Sequence, residues 1–209
     1  MSSGWFRTWR RAASGLAIAV ATLVACGGDD PRQLAGYSVE PVPTVGDIAL
    51  PDLTNDSTEF PLRSDPGKIL LVYFGYTNCP DFCPNTMASI KLARQQVDDP
   101  AKVEMAMATV DPERDLDTLA SYVTGFVPDG HALGTPDDAA LSRAASAFGV
   151  SYEVNTGSGG DTEVAHTTLL YAVDDDGQVV LAWPFGVSID DLAADIDYLL
   201  DHQRAGGDE

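Results

Sequence analysis

The sequence predicts an α/β sandwich: a central mixed β-sheet covered by helices, preceded by an N-terminal hairpin. Three observations predict it. Short apolar runs alternate with amphipathic stretches from about residue 46 onward. One run, KILLVYF at 68–74, is apolar without a break, as suits a strand buried on both faces. The chain then closes with a strand pair and a helix, the order of a mixed sheet rather than a wholly parallel one.

Each element has its own signal. Residues 47–53 and 59–62 flank Thr54-Asn55-Asp56-Ser57 and read as the hairpin. Residues 84–97 place Met87, Ile90 and Val97 at roughly helical spacing, with Pro84 at the first helical position, where no N–H is needed. VEMAMATV at 103–110 is the next strand. A helix over 116–126 has Asp115 placed to cap it. A second, over 136–148, has Thr135 as its N-cap, Pro136 in its first turn and Gly149 at its stop. Residues 167–173 and 178–183 are strands joined by an Asp-Asp-Asp-Gly turn, and residues 189–202 form an amphipathic closing helix.

The N-terminus reads differently. Arg7, Arg10 and Arg11 precede an uncharged apolar stretch over 12–25, too short for an ordinary membrane span and suited to a signal peptide. Leu23-Val24-Ala25-Cys26 resembles the bacterial lipobox, so Cys26 is the expected lipidated N-terminus of the mature chain. Residues 26–45, rich in Gly, Pro and Asp, are expected to be a flexible tether, 46–204 the folded domain and 205–209 a tail. The expected location is the outer face of the bacterial cytoplasmic membrane, held there by lipid.

The 209 residues carry a formal charge of −20, and without the three arginines of residues 1–25 the remainder carries −23. Such a chain lacks the basic patches that nucleic acid or anionic lipid surfaces require.

Of the three cysteines, setting Cys26 aside leaves Cys79 and Cys83 with only each other. An exported chain permits a disulfide between them, but a staple closing so small a loop adds little stability. The sequence GYTNCPDFCP lies between the buried strand and the next helix, at the carboxyl end of a strand, where α/β sheets gather their functional groups. Helix-start N–H groups favour thiolate there. Two thiolates repel, and either a soft cation or oxidation relieves them. Two sulfurs suit Cu(I) or zinc, but a structural zinc site wants four ligands and the supply here is short. Three histidines compete for a third position. His202 sits in the last turn of the closing helix and His131 follows a Pro-Asp-Gly turn; both read as solvent-facing. His166 opens the strand after a Gly/Ser-rich loop, at the sheet edge expected to hold the cysteines, and is the candidate ligand. Met87, Met105 and Met107 have core spacing and are not read as ligands.

Three segments together resemble the Sco/SenC family: VYFGYTNCPDFCP, TVDPERD at 109–115, and HTTLLYAVDDDG, in that order over roughly residues 45–203. The resemblance implies a thioredoxin-like three-layer sandwich. It also implies copper, as Cu(I) or Cu(II), bound by Cys79, Cys83 and His166. The function implied is service to the copper A centre of cytochrome c oxidase subunit II, with another copper chaperone or a thiol reductase as further partners. Asp111 and Arg114 are expected to support the site rather than bind metal. Many relatives have an aspartate before the histidine, whereas this chain has Ala165; Glu163 or Asp161 would be the nearest carboxylate substitutes.

The leading expectation is therefore a metallochaperone rather than an enzyme. The alternative is a thiol–disulfide oxidoreductase, with Cys79 attacking and Cys83 resolving. Oxidoreductases of this fold usually carry C-x-x-C and a proline where His166-Thr167 stands, which favours metal. A peroxidase would need T-x-x-C, and Thr77-Asn78-Cys79 is one residue short.

Overall fold

The computed structural model describes residue 1, residues 33–157, residue 159 and residues 161–206, with side chains up to residue 202. The chain divides into two units, Met1–Gln33 and Leu34–Glu209, and the second holds every strand and helix described below. The expected signal peptide and Cys26 lie outside the described residues.

Seven strands form one sheet in the order β2-β1-β5-β4-β3-β8-β9. They are β1 (Ala49–Asp52), β2 (Thr58–Pro61), β3 (Ile69–Gly75), β4 (Val103–Thr109), β5 (His131–Leu133), β8 (Leu170–Val173) and β9 (Val179–Trp183). The central three, β3, β4 and β5, are parallel, and the outer strands run antiparallel to their neighbours, so the expected mixed sheet is present. All seven residues of β3 are buried, which requires cover on both faces.

Side-chain alternation along β3 shows what covers each face. Tyr73 reaches Cys83 in α1 (Phe82–Arg94), whereas Phe74 packs edge-on against Phe148 at the end of α4 (Asp138–Ala147). Trp183 donates to Asp195 of α5 (Ile189–Gly206) from the Tyr73 side, through the register Tyr73↔Leu170↔Trp183. Thus α1 and α5 cover one face and the end of α4 the other, giving three layers. Among the described residues no helix is long and apolar enough to cross a membrane.

Several boundaries move for physical reasons. The helix expected at 116–126 starts later, as α3 (Leu119–Phe126), behind a separate short helix α2 (Pro112–Asp115), and Asp115 is a fully buried residue rather than a cap. At α4 the cap is Asp137, whose Oδ1 accepts from the Ala139 and Ala140 N–H groups; Thr135 Oγ1 instead accepts from Asp137 N. The Gly149 stop is as expected, with φ +70°. The expected exposed turn at His131 is the three-residue β5, too short for any periodicity, and His131 Nδ1 lies 2.7 Å from Asp52 Oδ2.

Residues 34–45, expected to end a tether, lie along β9. Tyr37 and Ala182 exchange backbone hydrogen bonds of 2.9 Å each, and Val45 N donates to Gly177 O. The Ala35 and Gly36 N–H groups both donate to Asp195 Oδ2. A Cβ at Gly36 would stand 2.6 Å from Leu181, so glycine is what permits the close approach.

Candidate functional site

The buried β3 ends at Gly75, and residues 76–81 lead into α1. The helix starts at Phe82, two residues earlier than expected, so Cys83 lies within its first turn and Pro84 directly after it. That turn has N–H groups without intrahelical partners. One of them, Cys83 N–H, donates to Cys79 Sγ at 3.2 Å, so Cys79 sulfur acts as a capping oxygen would. Cys83 Sγ sits deeper, fully buried, and accepts from Tyr73 Oη at 3.5 Å. A Cβ on Gly75 would stand 2.7 Å from the Tyr73 ring and 3.1 Å from that sulfur, so glycine leaves the room that the ring and the sulfur occupy.

This asymmetry separates the two thiols. Burial pushes Cys79 up, but the Cys83 N–H and other donors outweigh it, leaving its pKa below the usual thiol value. Burial pushes Cys83 up to about 12, beyond what the Tyr73 hydroxyl can offset. Cys83 is therefore a neutral thiol at neutral pH, and Cys79 is the more acidic of the pair.

His166 arrives by a route that sequence reading did not anticipate. The expected flexible loop contains a hairpin, β6 (Tyr152–Thr156) paired with β7 (Thr162–His166), and His166 is the last residue of β7 rather than the first of the next strand. Its base is fastened by Thr167 N to Ser151 O and Ser151 N to Thr167 Oγ1. Because β8 runs antiparallel to β3, the segment before it returns to the strand end that carries the cysteines. His166 Nε2 stands 3.7 Å from Cys83 Sγ, with the ring edge-on to Tyr73 and Tyr76.

The imidazole tautomer follows from its partner. His166 Nδ1 is 2.8 Å from the Thr167 carbonyl, which can only accept, so Nδ1 carries the proton and Nε2 keeps its lone pair toward the sulfur. Burial lowers the His166 pKa despite that carbonyl, which holds the ring neutral. The missing aspartate at Ala165 is thus answered by a main-chain oxygen. Glu163 and Asp161 do not replace it: β7 alternates, and both are exposed while His166 turns inward.

Among the described residues no three His, Cys, Asp or Glu side chains are gathered closely enough to hold a metal ion as they stand. Cys83 and His166 touch, and Cys79 is tied to the Cys83 backbone.

The expected support residues act one step removed. Arg114 pairs with Asp111 through both Nε and a terminal nitrogen, closing the turn that starts α2. The residue that reaches the cysteine loop is Asp115. Its carboxylate accepts from Thr77 N (2.9 Å), Thr77 Oγ1 (2.6 Å) and Thr109 Oγ1 (2.6 Å). Neither this role nor those of Tyr73 and Tyr76 was assigned from sequence. The signal available was the Asp within TVDPERD, read there as a cap.

The SCO1/SenC family model matches residues 53–201. The chain belongs to the SCO1/SenC family. Among relatives, this SCO1/SenC chain is 34% identical over 119 residues to Protein SCO2 homolog, mitochondrial, of Homo sapiens, covering 53% of this chain and 43% of that protein. It spans 41% of the Danio rerio SCO2 protein, so less than half of these two relatives is matched. Among solved structures it is similar to apo Sco1 of Thermus thermophilus, with TM-score 0.64 and 29% identity over 83% of this chain and 96% of that one. It is also similar to Bradyrhizobium japonicum ScoI with copper bound, with TM-score 0.63 and 30% identity over 72% and 96%. The three-layer mixed sheet is the thioredoxin-like fold of these structures.

Proposed function

We propose that this chain is an extracytoplasmic copper metallochaperone, tethered to the membrane through lipid on Cys26. In this reading it holds copper with Cys79, Cys83 and His166 and supports assembly of the copper A centre of cytochrome c oxidase subunit II. Copper would arrive from another chaperone, with a thiol reductase keeping the sulfurs reduced. One observation carries the reading: a neutral imidazole presents its lone pair 3.7 Å from a cysteine sulfur, its other nitrogen being committed to a carbonyl. Two sulfurs and one imidazole form a soft donor set suited to Cu(I), and two of the three belong to a short helix start and a hairpin end that can close on an ion. ScoI with copper bound, a structure of the same fold, supports the choice of metal. The acidic chain suits a cation as cargo.

The test is Cu(I) titration of the reduced full-length protein. His166→Ala should keep both thiols titratable yet bind Cu(I) at least about tenfold more weakly, since it removes a ligand outright. Equal affinity in the variant refutes the assignment of His166.

A second reading is favoured by a separate observation, the split between a lowered Cys79 and a raised Cys83. That is the arrangement of an attacking thiolate and a resolving thiol in disulfide exchange. Vigorous disulfide reduction by a protein that takes up no copper would select it.

A further inference from the structure

Two aromatic side chains break the surface beside the site, and neither reading above employs them. Phe82, directly before Cys83, and Phe185, two residues after Trp183, are 45% and 41% exposed and meet edge-on at 4.8 Å between ring centres. Exposed apolar side chains scattered singly are ordinary, but a joined pair at the rim of a working site is not.

A hollow of about 80 Å³ opens next to them, with Asn85, Thr86, Thr168, Leu170, Trp183 and Phe185 among its lining. Its walls come from the segments that carry the site. Thr86 Oγ1 donates to Phe82 O one turn back along α1, and Thr168 follows His166 by two residues. Leu170 and Trp183, opposite each other on β8 and β9, are its buried part. The volume is about half of the roughly 150 Å³ that admits a benzene ring, so it fits the tip of an aliphatic side chain rather than an aromatic one.

Cys79 is 8% exposed, and the residues on either side of it, Asn78, Pro80, Asp81 and Phe82, are exposed. A sulfur that reaches Cys79 from another protein therefore covers Phe82, and Phe185 with it. Charge says what kind of protein that is. Neither residues 69–90 nor residues 162–203 contain a lysine or an arginine. Asp81, beside Phe82, and Asp190, in the first turn of α5, are exposed. The partner of Asp81 is the neutral Asn85 side chain, and Arg114 of the neighbouring turn is held by Asp111. An apolar centre in an acidic surround suits a partner with lysine or arginine around its apolar contact.

We propose that the Phe82–Phe185 pair and the hollow beside it are the docking face for the protein that receives copper from Cys79 and Cys83, and that this partner inserts an aliphatic side chain ringed by basic residues. The face rests on the copper reading above, because handover is what brings a second protein's sulfurs to Cys79.

The experiment uses the reduced full-length protein and the reduced, copper-free copper A domain of cytochrome c oxidase subunit II. Association without copper is measured by calorimetry, and Cu(I) transfer by native mass spectrometry of the two chains. Phe185→Ser should weaken association and slow transfer about tenfold, the scale of losing one central apolar contact, with its own Cu(I) affinity unchanged. Wild-type association should weaken between about 10 mM and about 150 mM salt, as charges are screened. Asp190→Lys, an exposed change, should weaken association and flatten that salt dependence. Association of Phe185→Ser equal to wild type overturns the face and leaves the copper reading standing. A weakened Cu(I) affinity in Phe185→Ser overturns it as well, by making the ring a support of the metal ligands. Association without salt dependence overturns the stated partner. Self-association of wild type, or binding to phosphatidylcholine vesicles, that Phe185→Ser loses would give the face to a second copy or to lipid and overturn it. Wild type that binds Cu(I) yet does not associate with the domain overturns the face alone. Wild type that binds no Cu(I) overturns the copper reading and the face together.

Discussion

Single residues divide the work between chemistry and support. Cys79, Cys83 and His166 were legible as candidates because they are soft donors placed at one edge of the expected sheet, and the structure brings His166 to Cys83 and ties Cys79 to the Cys83 backbone. Asp115 was legible as a type and misplaced as a role: an Asp before a helix usually caps it, and only the packed structure shows three donors on a fully buried carboxylate. His131 is a similar case. Its partner Asp52 is 79 residues away in sequence and only 2 % exposed. Burial pushes the Asp52 carboxyl up, but the hydrogen bonds from His131 and Thr54 outweigh it, so its folded pKa lies below the usual aspartate value. A depressed carboxylate contributes stability above its unfolded pKa and loses it as pH falls through the folded value. Urea denaturation from pH 6 down to pH 3 should therefore show a steeper acid loss in wild type than in Asp52→Asn. Matching slopes would mean that the carboxylate contributes nothing.

At the level of elements, regular periodicity was read correctly and isolated short pieces were not. The apolar runs at β3 and β4, and α4 and α5, were expected near their observed places, since each carries several periods of its pattern. β5, β6 and β7 were missed. β5 has three residues, and β6–β7 is a largely exposed ribbon whose polar, glycine-rich sequence lacks an alternation to detect. The segment 34–45 was missed for a further reason: its cohesion lies in partners far along the chain. Asp195 is central to it, accepting from Ala35 N, Gly36 N and Trp183 Nε1 while fully buried. Asp195→Ala should free this segment from β9, with amide hydrogen exchange at Gly36 and Tyr37 faster by about tenfold or more, given roughly 1.5 kcal/mol or more per bond to a charged group. Unchanged protection there would show that the backbone bonds to β9 suffice.

For the whole molecule, topology brings the site together. β3 ends and β8 begins at the same edge of the sheet because they are antiparallel neighbours, so a loop after one and a hairpin before the other must meet. The Asp115 turn follows β4, parallel to β3 and beside it, and so reaches the same edge. The chain's charge of −20 makes close approach to anionic lipid unfavourable, so the proposed attachment relies on covalent lipid rather than on surface charge. Intact-mass measurement of protein extracted from membranes should find a diacylglycerol adduct on Cys26 and no residues before it. An unmodified cysteine, or a chain retaining residues 1–25, would remove the anchor from the proposal.

By itself the sequence determined the alternation of strands and helices, the three candidate soft ligands and the family. These are local or compositional properties, carried by periodicity and by short motifs whose meaning does not depend on distant partners. Tertiary structure decided which sulfur is the more acidic, which imidazole nitrogen faces the other, and that Asp115 holds the cysteine loop. Each of those depends on burial and on a contact between residues remote in sequence, and neither quantity exists until the chain has packed.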